Sequence, residues 1–186
     1  MSGSILMGNY TTVTELSGQG ASREQLARLY QRYKFASQFC EGKDVFEAAC
    51  GGGIALGYLG RKARRVVGGD IDENNLKFAQ EHYRGRHKIQ LLLMDAHKLP
   101  FANNSFDVMI LCEAIYYLVH PERFIREAQR VLRKSGNLLI CTVNKDWSGF
   151  NPSPYSHKYF STHELFGLLK RENFNNITVY GGCPIT

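Results

Sequence analysis

One stretch constrains this chain more than any other: a short apolar run, an acid and three consecutive glycines, Asp44-Val-Phe-Glu-Ala-Ala-Cys-Gly-Gly-Gly53. The run reads as a buried strand feeding a tight turn. Glycine at Gly51, Gly52 and Gly53 leaves no Cβ in the way, so a ligand can lie against the backbone. Residues 54–59 follow with apolar spacing compatible with a helix, and the amides at that helix start are expected to face the ligand. Taken alone, such a turn is as well explained by a plain strand–turn–helix connection as by a nucleotide site. The next segment decides between them. Arg65-Val-Val-Gly-Gly-Asp70 is a second short apolar strand ending in an acid, about twenty residues further on. A carboxylate at a strand's carboxyl end is placed to accept hydrogen bonds from two ribose hydroxyls.

The 186 residues suit one domain large enough to bury a core without staples. No apolar run approaches membrane-spanning length, and the start lacks the charged-then-apolar pattern of a signal peptide. The five cysteines, Cys40, Cys50, Cys112, Cys141 and Cys183, are widely spaced with no Cys-x-x-Cys pair. That argues against a metal site or a disulfide framework and favours a reducing cytoplasm. The net charge of +6 raises the question of nucleic acid. Its densest clusters, Arg61, Lys62, Arg64 and Arg65, then Arg84, Arg86 and Lys88, lie just before expected strands, opposite the ends where ligands bind in open α/β sheets. A solvated surface is the better reading, with no nucleic-acid partner.

Residues 1–21 are polar and read as an arm. Ser22 and Gln25 form a capping-box pattern, and Leu26, Leu29, Tyr30, Tyr33 and Phe39 repeat at helical spacing over 22–40, with the tyrosines as core-facing anchors. A βα alternation follows. Strands are expected at 43–48, 65–70, 88–94, 105–112 and 137–143, with Ser135–Gly136 as the turn into the fifth. Asp72 caps a helix and Pro121 opens another. Residues 144–160 form a long aromatic and proline-bearing loop, of the kind that carries function. Ser161 and Glu164 repeat the capping-box pattern, and Ile177–Tyr180 is expected as a sixth strand. The fold class is α/β: a doubly wound, mostly parallel, Rossmann-like sheet with helices on both faces, in one domain whose core spans 43–143.

In this order the segments resemble the class I S-adenosylmethionine-dependent methyltransferases, in the broad small-molecule group. The matching pieces are residues 45–53, 66–71, 94–101, 104–108 and 131–140. The resemblance implies S-adenosylmethionine as cofactor and S-adenosylhomocysteine as product. It assigns Glu47 to orienting the glycine loop near the cofactor's amino group, and Gly51 and Gly53 to close approach of the methionine part. Asp70 would hold the ribose hydroxyls and Ile71 pack on the adenine. Asp95 would accept from the exocyclic amine, beside the Ala96 amide. The backbone of Cys112 and the side chain of Glu113 would lie by the amino-acid end and the reacting centre. Two departures stand out: Ala49 occupies a position where the family has glycine, and nothing after Cys183–Pro184 makes the family's seventh strand. An exposed edge is then expected, explained by a shortened chain, by strand six beside strand five, or by a second copy of the chain.

The chemistry implied is in-line methyl transfer, in which the protein supplies mainly proximity and orientation and a base only where the acceptor must lose a proton. Glu113 and Tyr117 are the catalytic candidates, with Tyr116, His120 and His157 weighed beside them and the tyrosines read mainly as pocket walls. Amino-methyltransferases resemble one another in an Asn/Asp-Pro-Pro-Tyr motif after strand four, which is absent here. Cytosine-C5 enzymes resemble one another in a Pro-Cys nucleophile, and Cys112 lacks the proline. A small-molecule or lipid-like acceptor under the 147–159 loop is favoured. Two rivals remain: a cofactor-binding domain without activity, and a nicotinamide-dependent oxidoreductase, for which Gly51, Gly53 and Gly57 make a partial fingerprint.

Overall fold

Short runs rich in Val, Ile, Leu and Phe, each bounded by turn residues, form five strands. In a computed structural model these are β1 (Asp44–Ala48), β2 (Arg65–Asp70), β3 (Ile89–Leu93), β4 (Phe106–Cys112) and β5 (Leu132–Cys141). The structure describes residues 20–182, so most of the expected arm and Cys183 fall outside it. The sheet order is β3-β2-β1-β4-β5 and every neighbouring pair is parallel. The winding reverses between β1 and β4, which is where the carboxyl ends of such a sheet open a crevice. Central β1 is buried at every residue, as a strand covered on both faces must be.

The helices are α1 (Arg23–Ala36), α2 (Leu56–Leu59), α3 (Glu73–His82), α4 (Pro121–Val131) and α5 (Thr162–Arg171). Their starts follow local chemistry. Ser22 with Gln25 and Ser161 with Glu164 form complete capping boxes, the Asp72 carboxylate accepts from the Asn74 amide, and Pro121 stands in the first turn of α4.

Strand alternation separates two cores. One face joins Phe46, Met109 and Leu111 to Phe124, Ile125, Ala128 and Val131 of α4 and to Leu168 of α5. The other joins Val45, Val66, Val108 and Ile110 to Tyr33 and Ala36 of α1, to Leu56 and Leu59 of α2, and to Leu76 and Ala79 of α3. At the amino ends of the strands, Asp44 gathers Arg64, Arg65 and Arg133, and Arg133 also reaches Asp107 at 2.7 Å. Part of the basic clustering is therefore spent on an ion-pair network, far from the crevice.

Several expectations change. Ile177–Tyr180 forms no strand: Tyr180 is exposed, and its ring rests on Phe35 of α1 at 4.8 Å. Apolar alternation makes a strand only where a ladder partner exists, and among the described residues none adjoins this segment. Pairing of β5 begins at Leu132, five residues earlier than expected. Phe106 pairs with Leu132 and Val108 with Asn137, so Asp107 alone faces residues 133–136. The Ser135–Gly136 turn is present, but as an excursion inside the strand, with Ser135 at φ 65°. Gly136 is required there, since a Cβ would sit 3.0 Å from the Asp107 carbonyl oxygen. On α1 only Tyr33 and Ala36 are buried, while Leu26 and Tyr30 are exposed, Tyr30 lying edge-on to Tyr58.

Phe124 is fully buried between α4 and the sheet. Phe124→Ala is expected to lower the unfolding free energy by about 3–5 kcal/mol. Urea denaturation followed by circular dichroism measures it.

Candidate functional site

The carboxyl ends of β1, β2, β3 and β4 converge on an open cleft of about 1970 Å³. Its lining includes Ala49, Gly51, Asp70, Ile71, Asp95 and Ala96, with Cys112, Glu113, Tyr116 and Tyr117 on the other side.

Asp70 stands at the tip of β2 and is 6% exposed. Its Oδ2 accepts the Gly51 amide at 2.7 Å and its Oδ1 the Asp72 amide at 2.9 Å. The acid therefore holds the glycine turn to the start of α3 while still bordering the cleft. Burial pushes its carboxyl up, and the two amide bonds partly offset that. The turn closes on itself as well: the Cys50 amide donates to Gly69, that of Gly53 to Cys50, and that of Leu56 to Gly53. The expectation of exposed amides at a helix start is therefore corrected. The helix begins only at Leu56, is four residues long, and the amides of Gly53 and Leu56 are already used within the turn.

Gly51 lines the cleft, at φ 54°. Gly53, at φ 70°, faces the opposite way: a Cβ there would lie 3.0 Å from the Ala79 Cβ and 3.2 Å from the Tyr83 ring. Gly53 thus permits close packing on α3 and is not among the residues lining the cleft. Tyr83 is a residue the sequence pattern did not single out. Its hydroxyl donates to the Gly53 carbonyl at 2.6 Å and accepts from the Gly57 amide at 2.9 Å, pinning the turn from behind. Ala49 carries its methyl in the left-handed region at φ 52°, where a Cβ costs roughly 1–2 kcal/mol. The family's glycine at this place is therefore explained by backbone geometry.

Glu47 is 2% exposed and lies behind the turn, where it accepts a hydrogen bond from the Tyr33 hydroxyl of α1. It ties α1 to the sheet and does not itself border the cleft. At the tip of β3, Asp95 Oδ1 accepts the His97 amide at 2.8 Å and meets His97 Nδ1 at 2.6 Å. Ala96 is buried beside it and Ile71 half-buried across from it. These residues fit a nucleoside: an acid for ribose at β2, an acid for an amine at β3, and a turn without Cβ at Gly51.

On the facing side, Glu113 follows β4 with φ 49°, a conformation that persists in a non-glycine residue only where its surroundings hold it. Its carboxylate meets Arg32 of α1 at 3.3 Å and accepts from the Tyr116 hydroxyl at 3.3 Å. Its amide donates to the Cys141 carbonyl at 2.8 Å. Tyr116 stacks on Tyr159 at 4.5 Å, Tyr117 lies edge-on to Tyr116 at 4.6 Å, and Phe150 edge-on to Tyr159 at 4.6 Å. The 144–160 loop is bonded to this wall: the His157 amide donates to the Tyr116 carbonyl at 2.7 Å and the Tyr117 hydroxyl to Ser153 Oγ at 3.0 Å. Burial raises both phenols above their ordinary range. The Tyr117 hydroxyl is thus engaged by the loop, and its ring forms part of the wall. Cys112 is half-buried, and its thiol is raised by a hydrogen bond with neighbouring Cys141 and by burial, as expected of a strand-end thiol. Among the described residues no cluster of metal-ligating side chains occurs.

A family model described as a methyltransferase domain matches residues 46–140. A probable S-adenosylmethionine-dependent methyltransferase of Mycobacterium tuberculosis is 31% identical over 156 residues, covering 80% of this chain and 55% of that protein. The chain thus spans little more than half the length of that curated relative. A ubiquinone biosynthesis O-methyltransferase of Mesorhizobium japonicum is 24% identical over 171 residues, covering 88% of this chain and 68% of that protein. Among solved structures, the [4+2]-cyclase SpnF superposes with a TM-score of 0.71 at 23% identity, covering 85% of this chain and 61% of that one, a likeness of fold alone.

Burial lifts the Glu47 carboxyl from 4.5 to about 7, and burial moves Asp70 in the same direction. The folded state then holds these protons more tightly than the unfolded one. The contribution to stability is full below pH 4.5 and is lost as pH rises through about 7. Urea midpoints are expected to fall from about pH 5 to about pH 7.5, and Glu47→Gln to flatten most of that slope.

Proposed function

The chain belongs to the class I S-adenosylmethionine-dependent methyltransferases, and from that premise we propose that it transfers a methyl group to a small-molecule or lipid-like acceptor. The observation that carries this reading is Asp70, a buried acid at the tip of β2 that fastens the glycine turn and opens on the same cleft as Glu113 and the tyrosine wall. When bound, S-adenosylmethionine supplies an electrophilic methyl on a sulfonium with a good leaving group.

The protein's part is placement. Asp70 accepts the ribose hydroxyls through lone pairs left after its two amide bonds, and Ile71 covers one adenine face. Asp95 and the Ala96 amide take the edge of the base. Gly51 lets the amino-acid portion approach the turn, and Glu47, fixed by Tyr33, keeps the turn's base in position. The Cys112 backbone and Glu113 border the reacting centre. Tyr116, Tyr117 and Tyr159 form an apolar-faced wall against which an acceptor is held, under the 144–160 loop. That loop excludes water from the line of transfer, and Glu113 takes a proton where the acceptor must lose one. The ubiquinone biosynthesis O-methyltransferase among the relatives supports an acceptor of this class. The described cysteines are free thiols, which suits a reducing cytoplasm, and no helix among the described residues is long and apolar enough to cross a membrane.

Calorimetry with S-adenosylhomocysteine, run beside a nicotinamide dinucleotide, tests the reading: saturable binding of the first alone supports it, and binding of the second alone overturns it. Asp70→Ala is expected to weaken S-adenosylhomocysteine roughly 100-fold, the scale of two lost hydrogen bonds to a charged group. Tyr117→Phe is expected to lower turnover on an identified acceptor several-fold while leaving S-adenosylhomocysteine affinity within about twofold, because its lost bond holds the acceptor-side loop. An equal loss in both would remove Tyr117 from the acceptor side.

A further inference from the structure

His97 is named in none of the roles above, yet it makes three polar contacts at the tip of β3. Its amide and its Nδ1 both reach the same oxygen, Oδ1 of Asp95, at 2.8 and 2.6 Å. Its Nε2 accepts the His120 amide at 3.2 Å. An Nε2 that accepts a backbone N–H carries no proton, so the ring proton sits on Nδ1 and is donated to Asp95. The His97 side chain is 20% exposed and that of Asp95 33%, and both line the cleft. These two bonds leave Oδ2 of Asp95 without a hydrogen-bond partner among the described residues.

We propose that His97 is a positioning residue that aims Oδ2 of Asp95 at the exocyclic amine of the cofactor's adenine and so sets the site's preference for adenine over a deaminated base. The proposal rests on the adenine role given to Asp95 above. A carboxylate on a short side chain can rotate about its last bond and offer either oxygen or both. Two donors from one residue on one oxygen stop that rotation. The remaining oxygen then keeps one direction. A fixed acceptor favours an amine and repels the carbonyl oxygen that replaces it in a deaminated base, since two acceptors meet without a proton between them. The His120 amide fixes the ring from its far side. It also connects this point to the segment after β4: His120 directly precedes α4, three residues beyond Tyr117. The base end of the cofactor cleft and the acceptor-side wall are thereby joined through one imidazole.

The test is calorimetry with two ligands, S-adenosylhomocysteine and its inosine analogue, in which the exocyclic amine is replaced by oxygen. The parent protein is expected to prefer the adenine ligand by roughly tenfold or more, the scale of one hydrogen bond to a charged group. His97→Ala is expected to weaken S-adenosylhomocysteine about tenfold and the inosine analogue little, so that the preference collapses. His97→Asn, whose amide nitrogen can stand where Nδ1 stood, should restore the preference, and His97→Gln should not. Equal loss of both ligands in His97→Ala would reduce His97 to a structural part of its loop, and unchanged affinities would remove it altogether; either overturns the proposal. Asp95→Ala separates the two levels of the argument. A preference that survives in Asp95→Ala overturns the adenine role of Asp95 itself, while a preference lost there but kept in His97→Ala overturns only the role of His97. Thermal unfolding of each variant identifies any that fails to fold, and the comparison of two ligands on one variant is insensitive to a uniform loss of folded protein.

Discussion

The organisation of the cleft depends on one carboxylate. Asp70 takes two backbone amides, one from the glycine turn after β1 and one from the start of α3, and thereby joins two βα connections at a single buried point. A buried acid with no donors would be costly to keep ionised, and these two amides, with the Asn75 side chain, offset part of that cost. The same geometry gives the turn its shape: Gly51 offers its N–H to the Asp70 carboxylate from a left-handed conformation. The scaffold and the binding site therefore share a group. Tyr83, just past the end of α3, braces the turn from one side and Tyr33 of α1, through Glu47, from another, so that two helices converge on it.

Much of this was legible in the residues. The parallel strands, the three capped helix starts and the cleft at the carboxyl ends follow from apolar runs, Ser/Asp caps and the spacing of Asp70 after the glycines. Local chemistry dominates at those places, so local reading suffices. It failed where a neighbour decides. Ile177–Tyr180 has the alternation of a strand but meets a helix side chain instead of a ladder. Residues 54–59 have helical spacing, yet the turn's own hydrogen bonds delay the helix. Tyr83 and His97 escaped notice because a lone tyrosine or histidine carries no pattern; only the fold brings the first beneath Gly53 and the second against Asp95. The cost of Ala49 lies in the sign of φ, which a residue name does not display.

The facing side of the cleft is built differently. There the wall is made of rings packed on one another, with Glu113 and Arg32 at its border and a long loop bonded across it. Trp147 of that loop receives the Arg28 guanidinium of α1 over its ring at 5.7 Å. Ring contacts of this kind constrain plane and distance but leave room for exchange of partners, so this wall can be revised by substitution without disturbing the hydrogen-bonded glycine turn across the cleft. Under the proposed function, such a division gives a fixed end for the cofactor and an adjustable end for the acceptor on one sheet.

The excursion inside β5 has a consequence for life in a crowded cell. β5 is an edge, with half-exposed leucine and isoleucine from Leu138 to Ile140, and a straight edge of that kind invites another chain to add itself. Residues 133–136 break the line of amides and carbonyls partway along, place Lys134 in solvent and turn Ser135 through a left-handed step. An incoming strand finds only about half a template, five residues from Asn137 to Cys141. The glycine that lets Arg133 and Asp107 crowd together thus also shortens the stretch of edge on which a foreign strand could grow.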